Sequence, residues 1–135
     1  MAKEIAIVGN GPSRHLYTEP FDGDVCVCNV PHDINIKYDY ITKLMNTAAT
    51  AAYYFSDMYD TIYLYGCDAL FSEVTTSYQD EIIQRGKRSN TLHTQWRDKW
   101  ATVWNTDCNF VICCPEDTET IDYRKNVKWY HSKNS

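Results

Sequence analysis

The sequence predicts an α/β fold with a Rossmann-like, mainly parallel sheet and flanking helices. Two observations predict it. Short apolar runs typical of buried parallel strands recur along the chain. Most of these runs end in turn residues, and helical or polar stretches separate them, as expected of parallel α/β units. The 135 residues suffice for one domain with a sizeable core, so we treat residues 1–135 as a single nucleotide-binding-type domain without internal repeats.

The first apolar run makes the clearest strand, within residues 3–9. It leads into Gly9-Asn10-Gly11 and then into Pro12 and Ser13. Glycines permit a tight turn and close approach, while Pro12 and Ser13 are typical of the first residues of a helix, with Ser13 able to cap it. Such a corner binds anions because its unpaired N–H groups point outward. Arg14 replaces the third glycine of the dinucleotide fingerprint, so an ordinary strand-to-helix turn stays an alternative.

The remaining elements follow from periodicity and composition. Residues 12–18 are predicted to form a short helical turn, and residues 34–45 fit either a short strand at Tyr38–Ile41 or part of a helical stripe. The polar stretch 70–92 is predicted to be a loop or lid, with a short helix near Gln79–Arg85. Helices are predicted at about 46–58 and at 94–105, and further strands at Val25–Cys28, Thr61–Tyr65, Phe110–Cys114 and Val127–Tyr130.

Polar residues follow three of the predicted strands. They are Gly9-Asn10-Gly11, then Asn29, and then Gly66-Cys67-Asp68. Because the carboxyl ends of parallel strands meet at one edge of a sheet, these residues are expected to line one crevice. Asp68 either contributes to that crevice or only caps the next turn. The pair Asp22 and Asp24 spells a D-x-D motif, but it precedes a strand and is interpreted as a turn.

Composition excludes several classes of protein. The net charge is −5 and basic residues cluster only at Arg85–Arg88, so a dedicated nucleic-acid binder is not expected. The sequence contains neither an apolar run long enough to span a membrane nor a signal peptide, and we expect a cytoplasmic protein without membrane association. The aromatic content of 14%, including 11 tyrosines, suggests a stacking surface or a homo-oligomer interface.

The six cysteines form no C-x-x-C pair, so we expect reduced thiols and no metal site. We expect Cys26, Cys28, Cys113 and Cys114 to be small core residues. Cys26 and Cys28 lie two residues apart in a strand and are predicted to face the same side.

Several blocks of the chain, in this order, resemble the bacterial sialyltransferases of glycosyltransferase family 42 and the small sialyltransferase-like proteins of phage genomes. The blocks cover most of the chain. If the chain is phage-encoded, its location would be the host cytoplasm. The blocks are Val8–Ser13, Cys28-Asn29, Asn46-Thr47 before an alanine-rich helix, Ile62–Asp68 and Cys113–Pro115.

The resemblance implies a minimal GT-A-like fold, a CMP-sugar donor and no requirement for a metal or other cofactor. It implies that Gly9, Asn10, Gly11 and Ser13 form the turn that meets the donor's phosphate and ribose. Further nucleotide contacts are implied for Asn29, Thr47, Gly66 and Asp68, and a lid tyrosine for Tyr78.

A histidine just before the last amphipathic helix is the general base of this family, and His93 occupies that place. Imidazole titrates near neutrality, which suits removal of a proton from an acceptor hydroxyl. His15, just after the glycine turn, is a rival candidate, and a helix-capping or surface role is the alternative for His93. The acceptor is not predicted.

Three hypotheses follow. The first is a metal-independent glycosyltransferase that uses a nucleotide-activated sugar. The second is a nucleotide-binding or sequestering protein without transfer activity. It is favoured because fewer than twenty residues separate Asn29 from the helix start at Thr47, where the family has a much longer stretch. The third is a Mg²⁺-dependent transferase like the pterin diphosphokinases, which share a Gly-x-Gly-Pro-Ser opening and need acidic ligands.

Overall fold

A computed structural model of the chain describes residues 3–18, 21–28, 36–42, 47–72 and 92–132. These residues form six strands and two helices, with short 3₁₀ turns at Pro12–Leu16 and Asp68–Leu70. The helices are α1, Thr47–Phe55, and α2, Leu92–Trp104. The strands are β1 Glu4–Val8, β2 Asp24–Cys28, β3 Tyr40–Thr42, β4 Thr61–Tyr65, β5 Asn109–Pro115 and β6 Val127–Ser132.

The strands form one sheet in the order β3-β2-β1-β4-β5-β6, and every neighbouring pair is parallel. The predicted Rossmann-like α/β fold is therefore confirmed, and the sheet is parallel throughout. Neither α1 nor α2 is long and apolar enough to cross a membrane, a finding limited to the described residues.

Both helices pack on the same face of the sheet, which we call the helix face. Alternate residues of β1 and β4, among them Ile5 and Ile62, meet Phe55 of α1 and Trp104 of α2 there. The alternation arises because successive strand residues point to opposite faces. The helix-face cluster contains most of the buried core, so removal of one large side chain from it leaves a cavity.

The opposite face of the sheet is covered differently. In its described part, the connection between β1 and β2 forms the 3₁₀ turn Pro12–Leu16, and aromatic side chains from this region cover the face. Tyr17 packs edge-on against Tyr65 with ring centroids 5.3 Å apart, and Phe21 packs against Tyr63 at 5.5 Å. Part of the high tyrosine content therefore serves the core of this face.

All six cysteines are free and buried. The core role predicted for Cys26, Cys28, Cys113 and Cys114 is therefore confirmed, and Cys67 and Cys108 are buried as well. Cys26 and Cys28 both belong to the helix-face cluster, so the predicted common orientation is confirmed. Burial raises the pKa of Cys26 to about 11 and that of Cys28 to about 12. A thiol with so high a pKa is a poor nucleophile at neutral pH.

Several element boundaries differ from the sequence prediction. Helix α1 ends at Phe55, before the predicted end near residue 58. The described part of residues 34–45 contains the short edge strand β3, Tyr40–Thr42, so the ambiguity is resolved in favour of a strand there. Helix α2 begins at Leu92, two residues before the predicted start, so His93 lies inside its first turn and not ahead of it. Trp100 and Trp104 are core residues, as predicted. The predicted short helix at Gln79–Arg85 lies outside the described residues.

We expect Phe55→Ala to lower the free energy of unfolding by about 3 to 5 kcal/mol, because it empties a site in the packed helix-face core. Phe55 is 2% exposed, whereas Tyr53, two residues earlier on the same helix, is 55% exposed. Tyr53→Ala should therefore change the free energy of unfolding by less than about 0.5 kcal/mol. Urea unfolding monitored by circular dichroism measures both. Equal effects of the two variants would contradict the assigned orientation of α1.

Candidate functional site

The centre of the sheet is the place where its winding direction reverses. From β1 the chain proceeds to β2 and β3 on one side, and from β4 to β5 and β6 on the other. In open α/β sheets ligands bind in the crevice outside the carboxyl ends of the strands at such a reversal. Here the turns that follow β1 and β4 lie at that point. We call this side of the sheet the carboxyl edge.

The turns after β1 and β4 touch one another directly. Gly9 donates its N–H to the carbonyl of Tyr65 at 2.7 Å, and Gly11 donates to the carbonyl of Gly66 at 2.8 Å. A Cβ at Gly9 would lie 2.7 Å from the Gly66 oxygen, and Gly66 itself has a φ of +69°. The glycines are therefore needed for the contact between the two turns.

Asp68 fastens this contact from the β4 side. Its carboxylate accepts hydrogen bonds from the N–H of Ser13 at 3.0 and 3.2 Å and from the Ser13 hydroxyl at 2.7 Å. Both residues are buried. The expected cap role of Ser13 is wrong, because the 3₁₀ turn Pro12–Leu16 carries no side-chain cap and the Ser13 hydroxyl donates to Asp68. Asp68 does act as a cap, but on the turn after β1.

A buried cation lies beside this carboxylate. Arg14 is 4% exposed and its guanidinium donates to the carbonyls of Gly11 at 3.1 Å and Asn10 at 3.4 Å. Burial raises the pKa of Asp68 above its ordinary value of 3.8, while the hydrogen bonds from Ser13 and the charge of Arg14 offset part of the rise. Sequence reasoning missed the structural role of Arg14, which it treated only as a missing glycine.

The N–H groups of Gly9, Gly11 and Ser13 thus have protein acceptors in this structure. The Asp68 carboxylate lies where an anionic ligand of the glycine turn was expected to bind. A phosphate held at this edge needs other donors. Asn10 can still accept a hydrogen bond from a ligand, because its Oδ1 is buried without a hydrogen-bond partner among the described residues. A buried acceptor without a donor is costly unless a ligand or water supplies one.

The topology brings two helix starts to the same edge. In a parallel sheet, a connection that leaves the carboxyl end of one strand must return to the amino end of the next. Helices α1 and α2 both make such returns, so both begin at the carboxyl edge. Thr47 is the first residue of α1 and His93 the second of α2. The free N–H groups and dipole of a helix start favour negative charge.

Contacts of α2 agree with this placement. Arg97, one turn after His93, donates Nε to the carbonyl of Ala69 at 2.5 Å and Nη2 to that of Ser72 at 3.2 Å. The first turns of α2 therefore lie against the chain that follows Asp68. Sequence reasoning also missed Arg97, although its position four residues after His93 was a usable signal.

Other predicted residues lie elsewhere or outside the described ranges. Asn29 and Tyr78 fall outside them, and so do the side chains of Thr47 and His93. Asp24 begins β2 at the opposite edge of the sheet, where its carboxylate accepts a hydrogen bond from Tyr59 at 2.5 Å. The D-x-D motif therefore precedes and begins β2 at the amino edge of the sheet, away from the candidate site at the carboxyl edge. His15 lies on the exposed surface of the 3₁₀ turn.

Among the described residues, no group of three or more His, Cys, Asp or Glu side chains is arranged to hold a metal ion.

We expect the Asp68→Asn variant to change how stability depends on pH. Because the folded-state pKa of Asp68 is raised, its contribution to stability is complete below the ordinary value of 3.8 and is lost as pH rises through the folded pKa. The free energy of unfolding of the native chain minus that of Asp68→Asn should therefore fall as pH rises from about 4 through the folded-state pKa of Asp68. Urea titrations across this range measure it. Asp117→Asn, at an exposed site, is the control, and a rising difference would contradict the assigned burial.

A scan against protein-family models and searches of curated proteins and of solved structures found no match to this chain. The resemblance to the family 42 sialyltransferases therefore stays a prediction from the quoted blocks of sequence. Support for a function comes from the residues gathered at the carboxyl edge.

Proposed function

We propose that this protein is a minimal glycosyltransferase that uses a nucleotide-activated sugar, with CMP as the nucleotide and His93 as general base. The transfer of the sugar is proposed to need no metal ion, as the family resemblance implies. The observation that carries the proposal is the sheet topology, which brings Asn10 in the turn after β1 and the starts of α1 and α2 to the same carboxyl edge of the sheet. These are the elements on which the sequence prediction placed the donor site and the base.

The chemistry follows from what each group at this edge supplies. The N–H groups in the first turn of α1 or α2 have no acceptor within the helix, and together with the helix dipole they favour the negative charge of a donor phosphate. This assignment replaces the glycine turn as the phosphate site, since the N–H groups of Gly11 and Ser13 are already bonded. Asn10 offers its unpartnered Oδ1 to a ligand hydroxyl or amino group.

The transfer step is a direct displacement. The imidazole of His93 accepts the proton of an acceptor hydroxyl while that oxygen forms a bond to the anomeric carbon. The bond between the anomeric carbon and the phosphate oxygen breaks, and CMP leaves with the electron pair. Donors at a helix start stabilise the negative charge on the departing phosphate.

The Mg²⁺-dependent pterin diphosphokinase-like alternative fits less well. This alternative needs carboxylates that are free to bind the metal, and Asp68 is the candidate carboxylate at the carboxyl edge. The Asp68 carboxylate accepts three hydrogen bonds from Ser13 and lies near Arg14, which commits it to the turn contact. A second acidic ligand beside it was not identified in the sequence.

A nucleotide-binding protein without transfer activity is the second candidate, and one observation favours it. Fewer than twenty residues separate β2 from α1, and the part of this segment that the structure describes contains the three-residue strand β3. That segment builds the sugar- and acceptor-binding wall in the resembled family. A second copy of the chain could supply the missing wall, which would agree with the predicted homo-oligomer.

Calorimetric titration with CMP, UMP, GMP and AMP, each with and without EDTA, tests the nucleotide site. We expect CMP to bind most tightly and EDTA to have no effect. Asn10→Ala should weaken CMP binding by about tenfold, because a ligand group then loses a buried hydrogen bond. Asn105→Ala, at an exposed position at the end of α2, is the matched control. Binding of none of the four nucleotides would overturn the proposed function.

His93→Ala separates the transferase from the binding protein. We expect CMP affinity to be kept while release of CMP from a CMP-sugar falls by about 100-fold or more, because the general base is missing. His15→Ala, which removes the rival histidine from the exposed turn, should leave release of CMP unchanged. Release is followed by chromatography. Equal rates in His93→Ala and the native chain would favour the binding protein, or another base.

A further inference from the structure

The chain that follows Asp68 is held from several directions. Asp68 is bonded to Ser13 on the β1 side. Two residues on, the hydroxyl of Tyr123 donates to the carbonyl of Leu70. Arg97 of α2 donates to the carbonyls of Ala69 and Ser72. Residues 68–72, which we call the β4 corner, are therefore held at the backbone by Arg97 and Tyr123 and at the Asp68 side chain by Ser13.

The bonds of Arg97 connect this corner to the helix that carries His93. The guanidinium has a rigid, planar set of donors, so two carbonyls bound at once fix its orientation as well as its position. Nε and Nη2 are used for Ala69 and Ser72, at 2.5 and 3.2 Å. Because Arg97 lies one helical turn after His93, a fixed Arg97 also fixes the backbone of the first turn of α2.

A continuous path of contacts thus joins the two halves of the candidate site. It runs from the glycine turn through Ser13 to Asp68, along the corner to Ala69 and Ser72, and through Arg97 into α2. Further along α2, Trp100 and Trp104 hold the helix on the sheet by apolar packing. Arg97 lies nearer to the start of the helix than either of these tryptophans.

We propose that Arg97 is a positioning residue, which sets the distance between His93 on α2 and the ligand-binding Asn10 in the turn after β1. This inference rests on the proposed function for its catalytic consequence. Its structural content, the link between the corner and the start of α2, can be measured without any ligand. Arg97 acts through the β4 corner and is not proposed to contact the substrate.

The variant Arg97→Met keeps the length and apolar stem of the side chain but removes its donors. A matched control is Arg124→Met. Arg124 also donates to backbone carbonyls, of Trp104 at 2.5 Å and Thr106 at 3.4 Å, but at the other end of α2. Both variants lose a carbonyl-bound arginine, so a general loss of stability should affect them alike. Arg97→Lys, which keeps the charge without the planar set of donors, should show an intermediate effect.

The first measurement is hydrogen exchange of the ligand-free protein, read at the amides of residues 96–100. We expect exchange there to be about tenfold faster in Arg97→Met than in Arg124→Met, because local opening of the helix start becomes easier. Equal exchange at these amides in the two variants would overturn the inference, whatever the protein binds.

The second measurement follows the ring signals of ¹³C-labelled histidine during CMP titration, with the His93 signal assigned from its loss in His93→Gln. We expect the His93 signal to shift on CMP binding in the native chain and in Arg124→Met. In Arg97→Met the shift should be lost, while CMP affinity stays within about threefold of the native value. A retained shift in Arg97→Met would overturn the positioning role.

The two failures are distinguishable. If the native chain binds no CMP, the proposed function fails, and the exchange measurement still decides whether Arg97 links the corner to α2. If the native chain binds CMP and Arg97→Met behaves like Arg124→Met in both measurements, the inference fails and the proposed function stands.

Discussion

The contact between the turns after β1 and β4 is the constraint on which this structure depends. Two main-chain hydrogen bonds and the Asp68–Ser13 bonds extend the pairing of the central strands beyond the sheet. Neither turn tolerates a side chain at this point, since a Cβ on Gly9 or on Gly66 would meet the other's carbonyl oxygen. The Asp68 carboxylate, which completes the contact, also offsets the positive charge of the nearby buried Arg14. The main role of the glycine turn is therefore structural, because it joins β1 to the turn after β4. A ligand must be bound by groups around the turn.

The small size of the domain has a direct consequence for the crevice. Both helices lie on one face, and the other face is closed by Tyr17 and Phe21 packed on Tyr65 and Tyr63. A full helix after β1 would bring its own free N–H groups to the crevice, but a single 3₁₀ turn bonded to Asp68 does not. Among the described residues, the starts of the two helices on the other face are the places at this edge that favour an anion. The high aromatic content suggested a binding surface, but these four aromatic side chains belong to the packing of the core.

The route by which α2 is placed matters for any chemistry at this edge. Its tryptophans fasten the middle and end of the helix to the sheet, while Arg97 fastens its start to the β4 corner. Apolar packing is non-directional, whereas two hydrogen bonds to a planar guanidinium fix an angle. A base such as His93 needs that angle, because proton transfer requires hydrogen-bond geometry. A charged residue near a site can therefore affect the reaction by orienting a catalytic side chain, without itself contacting the ligand.

The sequence by itself determined the α/β fold, most strand and helix boundaries, the buried cysteines and the edge at which polar residues gather. These follow from local apolar periodicity and from the rule that parallel strands end at one edge, so neighbouring residues suffice to predict them. The tertiary structure alone decided that Ser13 bonds Asp68, 55 positions away, and that Arg14 and Arg97 are bound to carbonyls. Such partners are unrelated in sequence spacing and meet only when β1 pairs with β4 and α2 folds back on the sheet.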